Sequence, residues 1–429
     1  MPGATAEYLE TLAWMRLDWD EGPDIGGPCA PYIESERLPH YHSAAERLMA
    51  AGAAYRCFCS KDRLDQLREA QRAAGQPTRY DRRCWRLSSA EVAAELDRGT
   101  SHVIRLLMPD GQTHWTDLVL GPQEFQNDEI DDQVLLKSDG FPTYHLAHVV
   151  DDHLMGITHV IRGVEWVPST PKHLAVYRAL DWLAPEFAHV PLVLGPDHKR
   201  LAKRHGSVAV AEYRDMGYLP EALVNLIAFL GWSPGTEEEI FSLAELRSRM
   251  TFDRLQASPA IFDQQRLDHL NGVWIRRIPV PDLAQRLKRF LPEAEESQLE
   301  PIAAMVQERI HRLDEVPELV RFAFRAPSPS REELVGTLAP SAAIGFLDRA
   351  AELVGGNGSD LMGGLKAAAA ATAEPGVEKR HVRDCMQVVR VAITGQRVSP
   401  PLPESIELIG KDEALRRIRL AQEIIGGPI

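Results

Sequence analysis

Apolar and polar positions change their period several times along the chain. Over residues 1–54 the spacing predicts helix, with Ala44, Leu48 and Met49 on one face ahead of a break at Gly52. A Gly- and Pro-rich stretch, DEGPDIGGPCAPYIESERL, interrupts this region and is too long for a simple turn. Short runs of strand character follow at 101–107, 115–120 and 132–137, separated by turn signals such as Pro109-Asp110-Gly111. The run at 158–162 then predicts a strand, 169–181 a helix and 190–194 another strand. Such alternation is that of one half of a parallel, doubly wound sheet, although no first partner strand stands out in residues 1–54. Beyond Gly206 nearly everything is patterned as helix, with 262–276, 283–290 and 412–425 amphipathic and breaks at 325–331 and 355–360. There is no internal repeat. The expected fold class is multidomain, α/β followed by α.

Composition narrows this picture. A chain of 429 residues predicts about three domains. With 44% hydrophobic and 26% charged residues it is neither disordered nor fibrous. No run approaches the ~18 apolar residues of a membrane helix. The opening MPGATAEYLE, with two glutamates and no apolar core, does not read as a secretion signal, so a cytoplasmic location without membrane contact is expected. The net charge of −14 argues against indiscriminate nucleic-acid binding but leaves room for local basic faces. Three of the five cysteines fall within residues 57–84, which favours a thiol metal site over a disulfide framework.

Three segments carry chemistry. In the first, Cys57, Cys59 and Cys84 supply thiolates and Tyr80 a phenolate oxygen, a plausible set for tetrahedral zinc; the competing reading is three reduced cysteines that bind nothing. Around them, residues 56–86 hold nine Lys or Arg against four acids, a local balance of 9 − 4 = +5. In so acidic a chain the island is a candidate phosphate-backbone contact, with Arg82 and Arg83 its expected agents, against a solvated, ion-paired surface as the alternative. The second segment, Asp197-His-Lys-Arg-Leu-Ala-Lys-Arg-His-Gly206, is a basic loop just past a predicted sheet strand, where it can fold over a polyphosphate. The third is Tyr144-His-Leu-Ala-His-Val-Val-Asp-Asp-His153 with Ile161-Arg-Gly-Val-Glu-Trp166. Its density of His and Asp raises the option of a metal-dependent hydrolase built on His145, His148, Asp151 and Asp152. Against that, Asp151 and Asp152 read as acids at a helix N-terminus. Arg162, ending an apolar strand, presents a carboxylate-matching fork at the sheet's ligand edge.

Taken together, these segments resemble bacterial glutamyl-tRNA synthetase, a class I aminoacyl-tRNA synthetase. The likeness is close over KSDGFPTYHLAHVVDDHLMGITHVIRGVEW and continues through Leu201-Ala-Lys-Arg-His-Gly, which resembles the KMSKS-type signature. AIFDQQRLDHLNGVWIR resembles the family's stem-contact region, and LPESIELIGKDEALRRI the last helices of its anticodon-binding domain. The hydrolase reading yields to this resemblance, because the family's His/Asp segment binds no metal.

The resemblance implies a glutamate–tRNA ligase that activates glutamate with ATP and Mg2+ and transfers it to the 3′-terminal adenosine of tRNA(Glu), with tRNA(Gln) as a second candidate substrate. It further implies a Rossmann-type catalytic domain in two parts, 1–54 and 144–206. An inserted acceptor-stem domain would occupy 55–143, a stem-contact domain 207–279 and an anticodon-binding domain 280–429, in a monomer. Tyr144, His148 and Arg162 would hold glutamate, with Arg162 on its side-chain carboxylate. Glu165, Trp166, Leu201 and Lys203 would contact ATP. Lys203 and Arg204 would be the catalytic cations, and the cysteine segment would carry one structural zinc. Three departures stand out: His148 occupies a position where many relatives have Asn, Ala202 replaces a serine of the signature, and residues 1–54 hold no HIGH-type tetrad. The expectation is therefore a synthetase chain without its amino-terminal βαβ portion that does not activate glutamate alone. The alternative is a non-catalytic tRNA-binding paralogue. A short relative that charges a queuosine base is disfavoured by the long helical region after Arg276.

Overall fold

The computed structural model describes residues 3–201, 209–356, 360–374, 376 and 378–427. Two compact units divide the chain, residues 1–205 with 227–262 and residues 206–226 with 263–429.

The first unit opens with helices α1 (Ala4–Trp14) and α2 (Leu38–Ala50), the latter burying Tyr41, Ala44, Ala45 and Leu48. Strand β1 (Ala54–Cys57) leads into α3 (Lys61–Ala73), whose start is capped by the Ser60 hydroxyl accepting the Arg63 amide. A Ser88/Glu91 capping box begins α4 (Ser89–Asp97). Strands β2 (Val103–Leu106), β3 (Gln112–Asp117), β4 (Gly121–Gln126) and β5 (Val134–Leu136) follow. Helix α5 (Tyr144–Leu154), β6 (His159–Gly163), α6 (Thr170–Ala179), β7 (Glu186–Val190) and β8 (Val193–Leu194) come next, and residues 227–262 add the helix Leu243–Arg249 and β9 (Ala260–Ile261).

These strands form a three-stranded antiparallel sheet, β1-β2-β5, and a four-stranded sheet in the order β4-β3-β7-β6. In the second sheet β7 runs parallel to both β3 and β6, and β3–β4 is an antiparallel hairpin. Strands β3 and β4, which lie within the 55–143 stretch, thus share a sheet with β6 and β7. One core joins both sheets to three helices: Leu48 from α2, Leu146 and Val150 from α5 and Val176 from α6 pack with Leu106, Leu135, Val160 and Phe187.

Two expectations need correction. Of the strand expected at 190–194 only Val193–Leu194 forms, as β8 paired with β9 in a separate two-stranded sheet; the strand of the four-stranded sheet lies earlier, at β7, because Pro191 has no N–H and ends the ladder at Val190. Three consecutive buried residues, Phe187, Ala188 and His189, fit a strand with neighbours on both sides. The run at 115–120 divides into the end of β3 and a turn at 118–120, and Gly121 (φ 73°) starts β4. The polar sequence Gly-Pro-Gln-Glu-Phe-Gln hid this second arm.

The second unit is helical apart from its connections. Within it, buried Asn271 accepts the Leu219 amide at 2.8 Å and donates to the His311 carbonyl at 2.6 Å, tying three segments together. The helices Pro340–Gly355, Leu361–Ala371, Glu378–Thr394, Leu402–Ile409 and Lys411–Gly426 share one apolar core. There Arg417, almost fully buried, is held by Glu413 and the Ile393 carbonyl, both at 2.7 Å.

Candidate functional site

Parallel pairing places Arg162 of β6 beside His189 of β7, in register, so their side chains leave the same face of the sheet. Asp117, the last residue of β3, stands on the other side of β7. Three adjacent strands thus deliver a carboxylate, an imidazole and a guanidinium to their carboxyl ends, where ligands bind in open α/β sheets.

Helices α5 and α6 close the surroundings of Arg162. Its Nε donates to His189 Nε2 at 3.1 Å and its Nη2 to Thr170 Oγ1 at 2.8 Å. Its Nη1 lies 3.2 Å from His173 Nδ1 and 3.5 Å from His148 Nε2. His173 in turn meets His145 at 3.0 Å. Tyr144 stacks on His148 with centroids 5.2 Å apart and lies 4.5 Å from the Trp166 ring, forming an aromatic wall. Among the described residues no carboxylate lies within ion-pair distance of Arg162. Burial pulls its pKa down from the ordinary value, opposed by Tyr144. A half-buried cation held by ring nitrogens and a hydroxyl, with no carboxylate beside it among the described residues, is arranged to receive an anion.

The structure therefore brings Tyr144, His148, Arg162 and Trp166 together. Glu165 stands just beyond, its carboxylate 3.8 Å from Arg200, and the Leu201 amide donates to the Val193 carbonyl at 3.0 Å. Lys203, Arg204 and Ala202 lie outside the described residues. The hydrolase set does not converge. Asp151 is committed to Arg37 Nε at 2.7 Å and Tyr41 Oη at 2.8 Å, and the group able to hold a metal among the described residues is a different one. Asp151 and Asp152 sit in the last turn of α5 and not its first, because the helix already begins at Tyr144 after Thr143.

Asp117, Thr170, His173 and His189 were not singled out from sequence. The signal was there for one of them: a histidine in the middle of an otherwise apolar strand, Glu-Phe-Ala-His-Val, has to find a buried partner.

The buried imidazoles make the first unit sensitive to acid. Burial lowers the pKa of His145 to about 4, with the nearby cations adding to it. His173 is held well below the ordinary value, chiefly by burial, and His189 is lowered by burial despite the opposing pull of Asp117. In each case the folded pKa is below the unfolded one, so the unfolded chain takes up protons first as pH falls. Stability is full above about pH 6.5 and declines below it by up to ~1.4 kcal/mol per pH unit for each such histidine. The urea midpoint of the first unit is expected to drop clearly between about pH 7.5 and pH 5. An unchanged midpoint would show that these imidazoles become charged in the native state.

The second cluster is cysteinyl. Cys57 closes β1, Cys59 precedes α3, and Tyr80 and Cys84 arrive from the loop beyond it. The three sulfurs lie within 4.8 Å of one another. Cys59 Sγ is 3.5 Å from Cys84 Sγ and 3.3 Å from Tyr80 Oη. Zinc–thiolate bonds of about 2.3 Å in a tetrahedron space sulfurs by about 3.8 Å, so the three thiols form a group that could hold such an ion. A hydrogen bond from Cys84 pulls the Cys57 thiol down, against burial and with help from Tyr80; the same contact and burial push Cys84 up. Arg63 Nη1 donates to Cys59 Sγ at 3.2 Å, and Arg105 lies 4.4 Å over the Tyr80 ring. Arg105 also helps to pull the Cys57 thiol down, whereas burial and the neighbouring sulfurs push the Tyr80 hydroxyl up.

The basic island divides on inspection. Arg82 is not free for a phosphate: it grips buried Asp132 through Nε (3.0 Å) and Nη2 (2.9 Å) and also donates to the Met108 carbonyl. Arg63 is similarly occupied by Asp81. Arg83 is exposed. Arg82→Ala is accordingly expected to cost about 2–4 kcal/mol of stability, because Asp132 loses its counter-charge. Arg83→Ala should leave stability alone and, where the island meets a phosphate backbone, lower the salt slope of nucleic-acid binding by about one. Equal stability of both variants would contradict this division.

A mixed sheet whose parallel strands carry an anion-ready arginine at their carboxyl ends, followed in the chain by a long helical region, suits a class I tRNA synthetase. Residues 1–269 match the family model for the catalytic domain of the class I tRNA synthetases (E and Q), and residues 282–422 match an anticodon binding domain. The chain is 40% identical to the glutamate–tRNA ligase of Treponema denticola over 96% of its own length and 88% of the relative's. It is 42% identical to that of Acidothermus cellulolyticus, covering 97% and 85%. A crystal structure of a glutamate tRNA ligase from Elizabethkingia meningosepticum in complex with its amino acid superposes with a TM-score of 0.86 at 30% identity, covering 99% of this chain and 90% of that one. The chain belongs to the glutamate–tRNA ligase family. No described helix is long and apolar enough to cross a membrane.

Proposed function

We propose that this chain serves glutamate–tRNA ligation, holding glutamate's side-chain carboxylate on Arg162 against the Tyr144, His148 and Trp166 wall. The observation that carries this reading is the half-buried guanidinium with ring and hydroxyl acceptors around it and, among the described residues, no carboxylate of its own. Class I synthetases use ATP with Mg2+; here Glu165, Trp166, Leu201 and Lys203 would face the nucleotide, with Lys203 and Arg204 opposing the phosphate charge as it develops. A tRNA for glutamate would contact the 55–143 region at its acceptor end, residues 207–279 along its stem and residues 280–429 at its anticodon. Cys57, Cys59, Tyr80 and Cys84 would hold one structural zinc beneath the acceptor-end surface. The chain would work in the cytoplasm as a monomer. Calorimetric titration with L-glutamate and L-glutamine, tRNA(Glu) present, tests the reading. Glutamate is expected to bind at least ~10-fold tighter, because a carboxamide sets its NH2 against one of the two N–H donors that Arg162 presents. Equal affinity would overturn it.

A further inference from the structure

Asp117 and His189 are both completely buried, yet neither belongs to the proposed glutamate contacts. Their geometry is closely specified. Asp117 Oδ2 lies 2.5 Å from His189 Nδ1, while Oδ1 accepts the backbone amides of His189 (3.1 Å), Val119 (3.0 Å) and Leu120 (3.1 Å). The turn after β3 and the backbone of β7 therefore fix the carboxylate, and the carboxylate fixes the ring. These hydrogen bonds outweigh burial and keep the carboxyl's pKa below the ordinary range. An ionised carboxylate only accepts, so the ring proton must sit on Nδ1 and Nε2 must carry a lone pair. That lone pair faces Arg162 Nε, which can only donate, at 3.1 Å.

A guanidinium has five N–H groups. Nε–H goes to His189 and one Nη2–H to Thr170, while Nη1 faces the His173 ring at 3.2 Å and, at the edge of hydrogen-bond distance, the His148 ring at 3.5 Å. Nη2 keeps one N–H, and Nη1 offers a second once a ligand displaces the long His148 contact. With its side edge taken by His189, Arg162 can meet a ligand only end-on, through one donor from each terminal nitrogen. This arrangement matches a carboxylate and mismatches a carboxamide, which would set an NH2 against one of the two donors. We propose that Asp117 and His189 are a positioning pair, which by locking the His189 tautomer holds Arg162 end-on and makes it discriminate a side-chain carboxylate from a side-chain carboxamide. This inference rests on the reading of Arg162 as the glutamate contact.

The test is amino-acid binding by the full 429-residue chain, tRNA(Glu) present, in four variants. His189→Leu removes the acceptor while roughly keeping volume; glutamate should bind about 10- to 100-fold more weakly while glutamine is little changed, so selectivity collapses. His189→Gln places a carbonyl oxygen where Nε2 stood and should restore most of the affinity. Asp117→Asn can donate toward Nδ1, moving the ring proton to Nε2 against Arg162, and should resemble His189→Leu. Arg162→Leu separates the two levels. If it leaves glutamate binding unchanged, the site reading itself fails. If it abolishes binding while His189→Leu and Asp117→Asn keep full selectivity, the positioning pair alone is overturned. Should the His189 and Asp117 variants not fold, the ring-nitrogen NMR shifts of His189 in the unaltered chain decide. A protonated Nδ1 and bare Nε2 are expected near neutral pH, and a proton on Nε2 would overturn the pair.

Discussion

Arg162→Leu is expected to reduce glutamate affinity by about 10²- to 10⁴-fold, taking it below calorimetric detection, because two charge-assisted hydrogen bonds of about 1.5–3 kcal/mol each disappear together. The wall of Tyr144, His148 and Trp166 would remain but offers no second cation. Arg162→Lys is expected to recover only part of this loss. An ammonium keeps the charge, yet it is a compact point donor that cannot meet His189, Thr170 and a bidentate ligand at once. Undiminished glutamate affinity in Arg162→Leu would move the amino-acid site elsewhere. The variant should fold, since removing a guanidinium that has no carboxylate partner among the described residues leaves no buried charge there unpaired.

The second large effect concerns the cysteine cluster. Protein purified without chelators is expected to carry one zinc per chain, by elemental analysis. Its removal should unfold the loop between β1 and α4, because structural zinc contributes on the order of 10 kcal/mol at sites that small apolar clusters cannot replace. The neighbourhood is such a cluster: the buried residues packing around the site are Cys57, Tyr80 and Cys84 themselves. With zinc in place the Cys57, Cys59 and Cys84 thiols should resist alkylation under native conditions, and a strong chelator should release all three. Tyr80→Phe should weaken zinc without abolishing it, since three thiolates remain. Absence of zinc, with three freely titrating thiols, would contradict the assignment.

Much of the fold could be read in the chain, for definable reasons. The strands β2, β5 and β6 and the helix α6 carry their own period, so each is visible locally. Strand β7 was displaced because burial on both faces removes alternation, and only Pro191 marks its end. Of the site, Arg162, Tyr144 and His148 lie in one continuous segment whose resemblance to a family is close. Asp117 and His189 are 72 residues apart and meet only because β3 and β7 are neighbours in the sheet. No spacing rule exposes a pair made by strand order. Charge counting had a different weakness. It ranked Arg82 and Arg83 alike, whereas the bend at Arg82 (φ 55°) turns that side chain inward onto Asp132 and leaves its neighbour in solvent.

The most direct test of the central claim is a crystal structure of this chain with L-glutamate. The account predicts the side-chain carboxylate bridging Nη1 and Nη2 of Arg162, within about 3 Å of each, with His189 still on Nε. A glutamate bound with its backbone carboxylate on Arg162, or bound away from the carboxyl ends of β6 and β7, would contradict it.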